Sequence, residues 1–290
     1  MSKRSKKERQ EPNIVVFLVE GESDIIALDL PLSNMIYEKY PEYQVRFLLQ
    51  ERQVNLTGDE VEDVDTEDDD EEDGDELIEE IKYESGGDIT TSSYVTPSNI
   101  ESKITYRFIR PAIIKEGIYP KKIAKIIHIV DLDGAYIPDE NVVPYSDEHQ
   151  GYEKPYYDGE GGRIEAADVS SIINRNDRKR KNLEHLLTLP EQKIKVKTKS
   201  IPYEIYFFSS NLDHFINYDA NVETGKKKLA DEFMRNYCLD MEKFLKYFLE
   251  DVCSVGHMGY EESWNFIKEN SNSVMRYTNI DCLIRRLMND

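Results

Sequence analysis

The chain is poor in the residues that staple a protein together. It has three cysteines in 290 residues, Cys238, Cys253 and Cys282, all in the last third and none in CxxC spacing. That excludes a disulfide framework and a standard zinc module, and the three read as small buried hydrophobes. The longest apolar run is the six residues 14–19, against the roughly 20 that a membrane-spanning helix requires. No apolar stretch follows the basic residues Lys3, Arg4, Lys6, Lys7 and Arg9, so a secretory signal is not expected. No Walker A loop is present, so the chain is not itself an ATPase. A membrane protein and a secreted disulfide scaffold are excluded, and a reducing cytoplasm fits best.

What is abundant is charge. A third of the residues are charged, the mean hydropathy is -0.64 and the formal net charge is -21. Between residues 58 and 88, 18 acids face one lysine, which leaves 40 acids against 36 bases elsewhere. The body is therefore nearly neutral, and the overall acidity does not argue against nucleic-acid binding.

The spacing predicts an α/β fold, a mostly parallel sheet flanked by helices, with a helical C-terminal part. Residues 13–19, Asn-Ile-Val-Val-Phe-Leu-Val, read as a strand buried on both faces. A helix is expected from Ile25 to Tyr40, kinked or ended at Pro31, and a second strand over residues 44–49. Residues 1–12 form a basic tail expected to be disordered, and residues 58–98 an acidic, largely disordered insertion, in which 65–76 cannot bury anything, Leu77, Ile78 and Ile81 add one amphipathic turn, and 86–98 is loop-like. Residues 105–115 are helix or strand. Lys125-Ile-Ile-His-Ile-Val130 is a second core strand with His128 inside it, and residues 135–163 a loop insertion. Helix is expected over residues 163–189, a third strand over 201–208, and helices throughout 221–290, where Phe244, Tyr247, Phe248 and Trp264 fall at core spacing. Residues 13–220 would form one α/β domain.

Two of these strands deliver acids at their carboxyl ends, Glu20 after Val19, and Asp131 and Asp133 after Val130. Ligands of open α/β sheets bind at that edge. On an extended segment, residues two apart point the same way, and carboxylates about 4 Å apart repel by several kcal/mol at an effective dielectric of 20. Such a group requires a cation, and oxygen-only ligands select Mg²⁺ or Mn²⁺ over zinc. The plainer reading is that acids after strands cap helices, Asp24 capping the helix from Ile25.

Val19-Glu-Gly-Glu-Ser-Asp24 and Val130-Asp-Leu-Asp-Gly134, in order and each after a hydrophobic strand, resemble the two signatures of TOPRIM domains. The resemblance implies acid/base or metal chemistry for Glu20, Mg²⁺ binding by Asp131 and Asp133, and a matching trailing acid in Asp24. Ala135, Tyr136 and Ile137 stand where topoisomerases carry further acids, and no primase zinc module is present. Size and the strand end Ser209-Ser-Asn-Leu-Asp-His214 look more like the stand-alone TOPRIM effectors of abortive-infection systems, RloB-like, OLD-like or PARIS-type. That implies an anti-phage nuclease acting on RNA such as tRNA, or on DNA, beside an ABC- or SMC-like ATPase.

Asp213 and His214 end the third strand, with a supporting metal or general-base role set against a structural one. Arg175, Arg178, Lys179, Arg180 and Lys181 make a basic helix. Lys193, Lys195, Lys197 and Lys199 alternate as on one strand face. Both suit phosphate-backbone contact, or are a solvated helix face and a lysine-guarded edge. Tyr136, Tyr145, Tyr152, Tyr156 and Tyr157 would stack unpaired bases, pin their loop to the body or face a partner protein. The acidic window is a linker, an inhibitory mimic of nucleic acid or a handle for a partner. The expected function is a metal-dependent nuclease; the alternatives are a non-catalytic interaction subunit of an ATPase complex, or an RNA-processing or DNA-repair nuclease. A homodimer is compatible with all three.

Overall fold

The computed structural model describes residues 13–55, 59–62, 82–250 and 258–289. Strand β1 (Ile14–Val19) is buried at every position, as a strand covered on both faces must be. Helix α1 (Glu22–Lys39) opens with Gly21 as N-cap, three residues earlier than the spacing predicts, and runs unbroken through a buried Pro31. The proline forfeits one backbone hydrogen bond, while tight packing of α1 on the helix at residues 226–237 holds the rod together. Asp24 lies inside the first turn rather than at the cap. Strand β2 (Gln44–Leu49) pairs parallel with β1 and closes the expected βαβ opening.

Strands β3 (Glu51–Val54) and β4 (Lys82–Ser85) pair antiparallel and bracket the acidic window. Residues 59–62 stay on this ribbon: Glu60 bridges Val54, and Val61 N–H donates to the Gln53 carbonyl at 3.1 Å. The turn expected at Leu77, Ile78 and Ile81, the bulk of the acidic segment, the basic tail and Cys253 all lie outside the described residues. The unassigned stretch near 105–115 is helical. Helix α2 (Ile100–Ile104), a π-helical turn (Thr105–Ile109) and helix α3 (Arg110–Glu116) run on from one another. The π turn ends two residues before Pro111, which has no N–H for an α-helical bond.

Strand β5 (Ile123–Asp131) follows, one residue longer at its end than expected. The stretch 135–163 is more than a loop. Strands β6 (Val142–Pro144), β7 (Tyr156–Asp158) and β8 (Arg163–Ala166) form a small sheet in the order β6-β8-β7. Residues 163–166 are thus strand, and helix α4 (Val169–Leu187) begins after Asp168, whose carboxylate accepts from Ser171 N–H at 2.9 Å. Strands this short are specified by partners far away in sequence, which periodicity does not register. Strands β9 (Lys193–Val196) and β10 (Lys199–Phe208) form a hairpin whose turn places Lys197 at φ 54°, so the four lysines do not share one continuous strand. Helix α5 (Leu212–Asn217) departs from the expectation: β10 ends at Phe208, so Asp213 and His214 lie in a helix capped by Asn211 and do not end the strand. Helices α6 (Lys226–Tyr237), α7 (Met241–Glu250), α8 (Tyr260–Ile267) and α9 (Ile280–Asn289) follow, helical as expected.

The central sheet runs β2-β1-β5-β10-β9, parallel except for β9. Alternate residues of β1 enter different cores. Ile14, Val16 and Leu18 meet Ile104, Phe108, Leu183 and Trp264; Val15, Phe17 and Val19 meet Leu28, Phe215, Phe233, Phe244 and Leu283. The C-terminal helices therefore cover both faces: α8 lies on one, and α6, α7 and α9 on the other. Residues 221–290 complete the cores of the α/β sheet instead of standing beside it. His128 is core as expected, and its Nδ1 lies 2.7 Å from the Tyr203 hydroxyl. Cys282 is buried, whereas Cys238 is half-buried.

Candidate metal centre

The carboxyl ends of β1 and β5 lie side by side, because the two strands are adjacent and parallel. Glu20 leaves β1 there, and its Oε1 accepts from Asp131 N–H across the strand ends at 3.0 Å. Beyond Asp131 the chain turns sharply. Asp133 and Gly134 both have positive φ, 49° and 67°, conformations that Asp tolerates and Gly favours. Asp133 N–H and Gly134 N–H donate to the Ser210 and Ser209 carbonyls, which fastens the turn to the end of β10. This overturns the expectation that Asp131 and Asp133 point alike, since that holds only on an extended chain. Asp131 Oδ1 accepts from Leu212 N–H at 3.0 Å at the start of α5, while Asp133 Oδ2 faces Lys179 at 2.8 Å.

The third acid of the centre is Asp88. Gly86 N–H donates to the Gln50 carbonyl and Gly87 N–H to the Glu20 carbonyl, which lays the returning end of the acidic window across the mouth of β1. Asp88 Oδ1 accepts from Thr90 N–H and Oγ1–H at 2.8 and 2.6 Å. Glu20, Asp88 and Asp133 each offer an oxygen, and the three lie within 4.8 Å of one another, the set among the described residues that converges as metal ligands do. Sequence reasoning passed over Asp88 as the last of 18 acids in the window; the signal was Gly86-Gly87-Asp88-x-Thr90, a tight turn with an Asx hydrogen bond.

The basic helix turns inward to meet these acids. Lys179 is fully buried; its ammonium is ion-paired with Asp88 and Asp133 at 2.8 Å each and donates to the Asp131 carbonyl. Arg175 donates to the Asp133 carbonyl at 2.8 Å and to the Tyr157 hydroxyl at 3.2 Å, and that hydroxyl donates to Asp133 Oδ1 at 3.3 Å. Arg180 reaches the Ala135 carbonyl and Asp139, Lys181 pairs with Asp177 on the exposed side, and Arg178 lines a cleft with Asp168 and Asn174. Lys179 and Arg175 are thus counter-ions of the acid centre. Lys193, Lys195, Lys197 and Lys199 lie at the amino end of β10, where Lys199 donates to the Ile123 carbonyl at 2.9 Å. Nine residue steps at roughly 3.3 Å put that end about 30 Å from the acids.

Asp24 accepts from Gly21 N–H at 2.8 Å, and Asp213 pairs with Lys226 at 2.5 Å. These two and Asp131 repel one another. His214 is held by Ser210 at 2.9 Å and lines a separate cavity of about 450 Å³ with Tyr156, Tyr218 and Arg276. Of the loop tyrosines, Tyr157 and buried Tyr136 tie the loop to the body, and Tyr145, Tyr152 and Tyr156 pack around His149. The acid centre itself opens into a cavity of about 220 Å³ lined by Asp131, Asp133, Tyr152, Tyr157 and two lysines that sequence reasoning did not single out, Lys154 and Lys226.

Burial dominates the electrostatics. Loss of water, then repulsion from Asp88, lifts the Glu20 carboxyl well above its ordinary range, and Lys179 only partly opposes this. Asp131 is raised likewise by burial and then by Asp24 and Asp133, and burial lifts Asp24 to about 6. Asp133 goes the other way: burial pushes it up, but Lys179 and Arg175 outweigh burial and hold it below the usual carboxylate range. Lys179 loses solvation yet stays firmly protonated because Asp133, Asp88 and Glu20 surround it. The oxygen-only donor set and its excess of negative charge fit a hard divalent cation such as Mg²⁺ or Mn²⁺. No family model, curated protein or solved structure matches the chain.

Proposed function

We propose that the chain is a metal-dependent phosphodiesterase of TOPRIM type that hydrolyses RNA, tRNA among it, or DNA. The observation that carries this reading is the convergence of Glu20, Asp88 and Asp133, from three separate segments, within 4.8 Å at the carboxyl edge of a parallel sheet. These residues would hold Mg²⁺ or Mn²⁺, which when bound polarises a phosphoryl oxygen and lowers the pKa of a water. Glu20, the residue for which the motif resemblance implies acid/base or metal chemistry, would hold the cation or move a proton beside it. Lys154 lines the cavity and suits a phosphate of a nucleic acid, whereas Lys226, which also lines it beside Glu223, is already paired with Asp213. The setting, an anti-phage effector controlled by an ATPase partner, rests on the resemblance of the two motifs alone.

A second reading is favoured by one observation. Lys179, paired with both Asp88 and Asp133, and Arg175 beside Asp133 already supply two positive charges against those two carboxylates, so the acids could serve as a buried ion network in a non-catalytic interaction subunit. The two readings separate in an assay of Mg²⁺- and Mn²⁺-dependent cleavage of labelled DNA and total tRNA, wild type beside Glu20→Gln and Asp133→Asn. Cleavage that EDTA and both substitutions abolish is the expected result. Cleavage that survives either substitution would refute this site, and silence with no metal binding would leave the interaction subunit.

A further inference from the structure

We propose that Lys179 is a built-in competitor for the divalent cation, so that loading the centre is an exchange in which its ammonium must leave the oxygens that the metal takes. This rests on the metal reading above and adds how the site is regulated.

Each of the three carboxylates has one oxygen committed to the protein frame. Glu20 Oε1 is held by Asp131 N–H, Asp88 Oδ1 by Thr90 N–H and Oγ1–H, and Asp133 Oδ1 by the Tyr157 hydroxyl. The oxygens left over are the ones a cation would use, and two of them, Asp88 Oδ2 and Asp133 Oδ2, are those Lys179 contacts at 2.8 Å. A divalent ion binds carboxylate oxygens at about 2.0–2.1 Å for Mg²⁺. On the same two oxygens it would stand within a few ångströms of the ammonium, like charge against like charge in a buried site. The two therefore compete for those oxygens, each weakening the other's hold.

Lysine is suited to exchange because its charge is a compact point on a flexible stem, not a planar fork locked by paired bonds. Arg175, which binds the Asp133 carbonyl and the Tyr157 hydroxyl, touches neither leftover oxygen and can remain while Lys179 departs. The metal-free chain is thereby kept from collapsing into mutual repulsion, at the expense of metal affinity. Whatever draws the ammonium away raises that affinity, by the reciprocity of linked equilibria.

The test is Mn²⁺ binding to the full chain, followed by the electron paramagnetic resonance signal of free Mn²⁺, for wild type, Lys179→Met and Lys179→Arg. Lys179→Met is expected to bind Mn²⁺ at least tenfold more tightly than wild type, and Lys179→Arg, which keeps the charge on a fork less suited to leaving, no more tightly than wild type. Mn²⁺ binding by wild type with no gain in folded Lys179→Met would overturn the competition while leaving the metal site standing. No binding by wild type or variants would sink both. Should Lys179→Met not fold, amine acylation of wild type read by mass spectrometry decides. Lys179 should be protected without metal and modified several-fold faster in saturating Mn²⁺, and an unchanged rate would refute the exchange.

Discussion

Replacing Glu20 by Gln should stabilise the metal-free protein while abolishing its response to metal. Glu20 sits among Asp88, Asp131 and Asp133, opposed by the single ammonium of Lys179. One ionised pair at 4.8 Å repels by about 3 kcal/mol at an effective dielectric of 20. The penalty is capped, because a carboxyl under too much strain takes up a proton instead. That costs about 1.4 kcal/mol per pH unit above its ordinary value of 4.5, so about 3 kcal/mol at pH 7. Gln keeps the oxygen that accepts from Asp131 N–H and removes the charge. The expected gain is about 1–3 kcal/mol, or roughly 2–5 °C in Tm for a chain of 290 residues. The pH profile gives the sign. A carboxyl raised in the folded state binds its proton more tightly there than in the unfolded chain. Wild-type stability is therefore lost as pH rises from about 4.5 through the folded value, and the difference between variant and wild type should vanish at and below pH 4.5. The assay is thermal unfolding in EDTA across pH 4–8, repeated with Mg²⁺, which should stabilise wild type and not Glu20→Gln. A variant less stable than wild type at pH 7 in EDTA, or a difference constant with pH, would refute the argument.

Three further outcomes are expected. Glu60→Gln removes the negative charge 2.7 Å from the fully buried Arg107 and should destabilise the fold by about 1–3 kcal/mol in urea unfolding; an unchanged midpoint would show that the flank of the acidic window is not anchored there. Gly134→Ala forces a left-handed residue, and its Cβ would meet Val274 Cγ1 at 2.5 Å and Ile164 Cδ1 at 2.8 Å. A loss of about 2–4 kcal/mol is expected by calorimetry, whereas an unchanged Tm would mean the turn relaxes freely. Burial lowers His128 from 6.5 to about 4, so its neutral form supports the fold above pH 6.5 and that support drains as pH falls toward 4, by up to about 3 kcal/mol; His128→Gln should flatten this limb of the stability curve, and an unaltered limb would remove His128 as its source.

The sequence alone determined the opening βαβ, the second core strand and the helical character of the C-terminal part, because burial on both faces leaves continuous apolar runs and helix packing leaves a 3.6-residue repeat. It also placed Glu20, Asp131 and Asp133 at the carboxyl edge, since an acid directly after a buried strand has nowhere else to go. What tertiary structure alone decided is which acids converge and what they face. Asp88 joins the centre because Gly86 and Gly87 bond to the Gln50 and Glu20 carbonyls, a contact between distant segments that no local pattern encodes. Asp131 turns aside because a left-handed Asp133 breaks the alternation. The basic run of α4 looked like a surface for phosphates, and in the fold its Lys179 and Arg175 are drawn in to offset buried carboxylates. A run of like charges records only that counter-charge is needed somewhere; the packing of α4 against the strand ends determines where.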